Sequence, residues 1–126
     1  MLTNVTITTI LRLEGLALGI VCIWLYHAFH QSWWIFAVLF LTPDLSMLGY
    51  LRGPRIGAAV YNFAHSWVTA VVLFLLAWYF WGDNSLVLSL PFILGAHIGL
   101  DRAVGYGLKL ATGFHDTHLG RIGKAA

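Results

Sequence analysis

Residues 86–102 read LVLSLPFILGAHIGLDR. The run from Leu86 to Leu110 is long and apolar enough to sit in a bilayer, where a spanning helix needs about 20 predominantly apolar residues. Its second part, Gly95-Ala96-His97-Ile98-Gly99-Leu100-Asp101-Arg102, then places an imidazole, a carboxylate and a guanidinium in the same segment. His97 and Asp101 are four apart, so on a helix they share one face. Ionisable groups at membrane depth cost several kcal/mol unless they meet a partner, a metal or water, and by default they point to function.

The rest of the chain has the same character. Of its 126 residues 60% are hydrophobic and 10% charged, and the mean hydropathy is +0.81. A soluble domain of this size would need far more polar surface. Three further runs, Thr8 to Phe29, Trp33 to Leu51 and Ala58 to Trp81, are long enough to span. The spacing therefore predicts an all-α membrane protein, with four transmembrane helices in one bundle over residues 1–126 and a short tail at 111–126. The single cysteine, Cys22, excludes an intrachain disulfide and reads as core packing. No basic residue precedes Arg12 and no small-residue cleavage site follows a short apolar core, so the first run is expected to remain as a span. A net charge of +2 is too small to suggest nucleic acid.

Charge placement orients the bundle. Arg12, Arg52, Arg55, Arg102, Lys109, Arg121 and Lys124 all fall on one side of a four-span arrangement, and the connectors 27–32 and 82–85 carry no Lys or Arg. By the positive-inside rule both termini face the cytoplasm. Trp24, Tyr26, Trp33, Trp34, Trp78, Tyr79 and Trp81 gather towards the outer ends, as an interfacial aromatic belt does. The pairs Gly15/Gly19, Gly53/Gly57 and Gly95/Gly99 repeat a spacing that allows close helix approach. Such faces offer a route to a homo-oligomer.

Orientation brings the ionisable residues to one depth. Asp44 and Asp101 each precede a cytoplasmic basic residue by eight positions, or about 12 Å at the helical rise. His65 and His97 lie ten positions past Arg55 and twelve before Lys109, or about 15 and 18 Å. Glu14 belongs to the same inner half. Two imidazoles and three carboxylates form a nitrogen and oxygen donor set suited to a divalent ion such as zinc, iron or manganese. Pro43 is expected to bend the second span and free backbone carbonyls. Tyr61 and Asn62 share helical faces near His65 and are candidates for orienting a ligand. In a hydrolytic site Glu14 is the candidate general base and Arg102 the candidate stabiliser of a developing anion. A membrane lipid or other amphiphile is the expected substrate. A proton-coupled carrier or channel, and a structural subunit whose network only fixes helix packing, remain open. A b-type haem between His65 and His97 is disfavoured by the nearby carboxylates. Ser66 reads as a helix-contact hydroxyl, and His27 and His30 as interfacial polar residues. The tail is expected to lie on the surface; the alternative is that His115 and His118 fold back over the cytoplasmic mouth, His118 then joining Tyr61 and Asn62 around the ligands.

Two resemblances attach to these motifs. Leu13-Glu14-Gly15, Pro43-Asp44-Leu45-Ser46-Met47-Leu48-Gly49-Tyr50, Tyr61-Asn62 with His65, His97 to Arg102, Gly105 to Lys109 and Thr117-His118-Leu119-Gly120 resemble a bacterial membrane family catalogued as a domain of unknown function (number 4260). That resemblance implies a multi-pass protein of the bacterial cytoplasmic membrane and no particular activity. Pro43-Asp44, His65-Ser66, His97-x-x-Leu100-Asp101 and Gly107-x-x-Leu110 are similar, more distantly, to membrane-bound metal-dependent hydrolases. This second likeness implies Asp44, His65, His97 and Asp101 as metal ligands. Two positions depart from it: Ser46 stands where that family has a second Asp, and Val60 where it has an upstream His. A single ion, or none, is then expected in place of a multi-metal cluster.

Overall fold

The computed structural model describes residues 4–108 and the short segments 116–117 and 120–121. Five α-helices follow in order: α1 (Asn4–Ala28), α2 (Trp33–Phe40), α3 (Pro54–Ala64), α4 (Trp67–Trp81) and α5 (Ser85–Val104). A 3-10 helix, Thr42–Arg52, links α2 to α3. The only strands among the described residues are the antiparallel pair Asp116–Thr117 and Gly120–Arg121. Three helical stretches, Thr6–Ala28, Trp33–Arg52 and Ser85–Val104, are long and apolar enough to cross a membrane. The pair α3 and α4 makes a fourth if counted together, with a bend of 47° between its parts.

The distribution of polarity is inverted relative to a soluble protein. Buried side chains include His65, Ser89, His97 and Arg102, whereas Trp34, Leu51, Phe63, Val68 and Tyr79 are exposed. Such an apolar exterior suits a lipid environment. Most aromatics expected at the outer belt are exposed, including Trp24, Trp34, Trp78 and Trp81. Tyr26 departs from that expectation: it is fully buried and donates its hydroxyl to Ser32 O at 2.5 Å.

The core is a seam between α1 and α5. A Cβ built on Gly99 would lie 2.5 Å from Gly15 O and 2.6 Å from Gly19 N, both backbone atoms that have nowhere to go. A Cβ on Gly95 would meet the Cys22 thiol, so that cysteine packs as expected. The two small-residue faces on Gly15/Gly19 and Gly95/Gly99 therefore meet each other inside one chain. Arg12 locks the same seam at its end, donating Nε to Ala103 O at 2.9 Å, one of the unpaired carbonyls that finish α5.

Three expected boundaries differ from those observed. The run 58–81 is not one helix: Ser66 interrupts it and acts as the N-cap of α4, accepting from Val68 N at 3.2 Å. Such a hydroxyl competes with the helix for backbone donors. The expected helix-contact role for Ser66 gives way to this cap. The fourth span stops at Val104 and does not reach Leu110, because Gly105 adopts a left-handed conformation (φ +99°) that caps the helix onto Arg102 O and Asp101 O. The second span changes character at Pro43. Pro43 lacks the N–H that Leu39 O would accept, and Thr42 Oγ1 takes that carbonyl instead at 2.6 Å. Asp44 N then bonds to Leu41 O at 3.2 Å, the 3-10 pattern.

The glycine seam yields a direct test. Gly99→Ala inserts one methyl against immovable backbone and is expected to cost about 1–3 kcal/mol. Thermal unfolding of the detergent-solubilised protein reads this as a lowered midpoint; Val68→Ala, on the exposed face of α4, should leave the midpoint nearly unchanged.

Candidate metal centre

The interruption at Pro43 supplies one of the two acceptors that build the site. Phe40 O has lost both its usual partners, since residue 43 is proline and Asp44 N has turned to Leu41 O. A buried carbonyl without a partner is costly. His97 Nδ1 donates to it at 2.5 Å. His65 caps the end of α3, and its Nδ1 donates to Tyr61 O at 2.9 Å. Because carbonyls only accept, both rings carry their proton on Nδ1 in the neutral form.

Both Nε2 lone pairs are thereby aimed at one point. His65 Nε2 and His97 Nε2 stand 3.2 Å apart. Asp44 Oδ1 lies 3.3 Å from the first and 3.2 Å from the second. Asp101 Oδ2 lies 3.2 Å from His97 Nε2 and 3.7 Å from His65 Nε2. The four ligand atoms fall within 4.8 Å of one another, a group that could hold a metal ion. The His65 and His97 side chains are 0% and 3% exposed, while those of Asp44 and Asp101 are 40% and 23% exposed. Two imidazoles thus form the floor and two carboxylates the open rim.

Aromatic rings fix the imidazoles. Tyr61 stacks on His65 with centroids 3.8 Å apart and planes 10° from parallel. The Phe40 ring lies 4.9 Å from that of His97. Beneath them Arg102 donates Nη2 to His65 O at 2.8 Å and Nη1 to Tyr106 O at 3.0 Å. It ties the break between α3 and α4 to the end of α5, and so sets the height of His65 against His97 and Asp101.

Asp44, His65, His97 and Asp101, expected as ligands, are the residues brought together. Tyr61 lies against the group, and Asn62 is half-buried beside it on α3. Glu14 is not brought in. It is exposed on α1, one residue round from the Gly15 contact, and lines a separate cleft of about 350 Å³ with Arg102 and Ser66. The general-base expectation for Glu14 is corrected accordingly. Arg102 reaches carbonyls, so its hydrogen bonds are those of a backbone clamp. His115 and His118 lie outside the described residues. Ser46 donates to Pro43 O at 2.6 Å and Val60 is exposed, so neither replaces the ligand that the hydrolase likeness would place there. The group is also shallower in the bundle than expected: Asp101 is three residues from the end of α5, about 4.5 Å. Reasoning from sequence missed Phe40 and Thr42. Their signal was Pro43, whose absent N–H leaves upstream carbonyls in need of other donors.

Spanning-length apolar helices folded around a buried Asp/His group define a helical protein of membrane type with a candidate metal centre. The chain belongs to the family described as a domain of unknown function (DUF4260), which matches residues 8–122. Neither the curated proteins nor the solved structures contain a match.

The clamp has a measurable consequence. Arg102→Leu keeps apolar bulk but leaves His65 O without its donor, and hydrogen bonds from charged groups are worth about 1.5–3 kcal/mol each. A loss of about 2–3 kcal/mol in thermal or denaturant unfolding is expected. Arg102→Lys should recover part of it.

Proposed function

We propose that this chain is a four-span integral membrane protein that binds one divalent metal ion at Asp44, His65, His97 and Asp101 and uses it for hydrolysis near the membrane surface. The observation that carries the reading is the direction of the two imidazoles. Both N–H groups go to backbone carbonyls, which leaves two ring lone pairs and two carboxylates converging with a cation as their natural complement. A hydrogen bond to the far ring nitrogen is also how ligating histidines are commonly oriented. Spacing agrees. At bond lengths of about 2.0–2.1 Å, neighbouring ligands of a tetrahedron stand about 3.3 Å apart. Four of the group's six separations are 3.2–3.3 Å, a fifth is 3.7 Å, and all lie within 4.8 Å, so a small closing of the carboxylate rim would complete the fit.

Two nitrogens and two carboxylate oxygens suit zinc, iron or manganese. A bound ion would supply Lewis acidity for hydrolysis. The chain's own contribution is to hold the imidazoles rigid on the buried floor and leave the carboxylate rim open for water and substrate. The hydrolytic assignment draws on the likeness to membrane-bound metal-dependent hydrolases at Pro43-Asp44, His65-Ser66 and His97-x-x-Leu100-Asp101. The same 3.2 Å separation of the two Nε2 atoms also suits a shared proton, which makes a proton-holding network the rival.

Metal content decides between them. Elemental analysis of the folded protein after exposure to zinc, iron or manganese should find about one ion per chain. His97→Ala and Asp101→Ala should reduce it at least tenfold with helical circular dichroism retained. Folded wild-type protein that stays metal-free with all three ions would overturn the reading in favour of the proton network.

The distribution of basic residues supports a topology with both termini and the Gly53 turn on the cytoplasmic side. In a Cys22→Ser background, Asp83→Cys should react with an impermeant thiol reagent added to intact cells, and Gly53→Cys should react only after lysis. The opposite pattern would reverse the topology.

A further inference from the structure

α2 and α4 both pack on α5 but scarcely touch each other. Between them is a cleft of about 580 Å³, within the size range of ligand pockets. Its wall includes Pro43, Ala64, Leu73, Leu76, Leu90 and Leu94. Only two hydroxyls line it, and both have given their protons away: Thr42 Oγ1 to Leu39 O at 2.6 Å and Thr69 Oγ1 to Phe63 O at 2.5 Å. Apart from the Trp81 indole at its far end the wall presents hydrocarbon, which favours an apolar occupant.

None of the four ligand residues lines the cleft, but the group adjoins one end of it along the chain. Pro43 precedes Asp44, Ala64 precedes His65, and Leu90, Leu94, His97 and Asp101 follow one another along a single stripe of α5. The other end of the cleft is reached at Trp81. From Thr69 to Trp81 is twelve residues of α4, about 18 Å. One leaflet of the hydrocarbon core is about 15 Å deep. The polar group stands at the end of the bundle where Arg12 meets Ala103 O and α5 stops, the level at which a lipid's head and linkage lie when its tail runs inward.

We propose that the substrate of the centre is a fatty-acyl ester lipid drawn sideways from the bilayer, with one acyl chain in the cleft between α2 and α4 and its ester at Asp44, His65, His97 and Asp101. The placement of the chain rests on the cleft alone; the reaction rests on the metal reading above. The first polar atoms attached to a chain seated there are its ester carbonyl and ester oxygen, so that linkage is the one presented to the group. In the hydrolysis the oxygen of water bonds to the acyl carbon and the acyl C–O bond breaks. The departing alkoxide takes up a proton, giving a fatty acid and a lysolipid alcohol.

The test uses the full chain in nanodiscs with a phosphatidylethanolamine bearing a diazirine midway along one acyl chain. After illumination, crosslinks should concentrate on Leu73, Leu76, Leu90 and Leu94, at least fivefold over Leu13 and Ile20 on the exposed face of α1. Leu90→Trp, which fills the cleft, should cut that labelling at least fivefold while bound zinc stays unchanged. Leu73→Trp, half-exposed and so tolerant of bulk, serves if Leu90→Trp lowers the zinc content. Even labelling of α1 and the cleft, or labelling indifferent to both tryptophans, overturns the proposal even if metal is bound. Cleft-specific labelling of a protein that binds no metal supports the lipid site and overturns the metal reading instead.

Discussion

Two N–H groups govern the arrangement. His65 and His97 each give the Nδ1 proton to a main-chain carbonyl, and from that single choice the opposite edges of both rings become acceptors facing each other. Four acceptor atoms within 4.8 Å repel unless something positive lies among them. One of those carbonyls, Phe40 O, is free because a span is interrupted; the other, Tyr61 O, takes the ring proton in addition to His65 N. Pro43 strips Phe40 O of its helical partners, and Ser66 ends α3 so that His65 stands at a helix terminus. The 3-10 segment itself has no buried residue; backbone polar groups at its start are paired locally, Leu39 O with Thr42 Oγ1 and Asp44 N with Leu41 O.

The remaining packing supports that centre. Gly15, Gly19 and Gly99 bring α1 into backbone contact with α5, which holds the helix bearing His97 and Asp101 in place without large side chains. Arg102 then ties α5 to the break between α3 and α4 through His65 O. On the opposite side the fit is loose, and α2 and α4 leave a hydrocarbon-lined cleft between them. In lipid no hydrophobic force closes such a gap, so a rigid seam on one flank and an open cleft on the other can coexist in one small bundle.

Much of this was legible before any coordinates. The i, i+4 relation of His97 and Asp101 and the positions of the basic residues already gathered at least one ionisable group from each span, five in all, and the resemblance to metal-dependent hydrolases chose four of them. The structure brings those four together. Helix breaks were harder to see. Ser66 lies in an apolar run where a hydroxyl is equally at home within a helix, and only its bond to Val68 N reveals a cap. Gly105 ended α5 early because a left-handed residue costs glycine little, a property that hydropathy ignores. Glu14 fell outside the group because depth along a sequence carries no helical rotation: on α1 it lines a separate cleft with Arg102 and Ser66. Main-chain acceptors such as Phe40 O carry no residue-type signal at all; only the missing donor at Pro43 betrays them.

The most direct measurement is of the ring protons themselves. Nitrogen NMR of protein labelled at histidine, recorded with and without added zinc, reports which nitrogen of His65 and His97 carries hydrogen. The account requires Nδ1–H on both rings, with the two Nε2 resonances shifting on addition of the ion and the Nδ1–H signals persisting. A proton resident on either Nε2, unmoved by zinc, would contradict it.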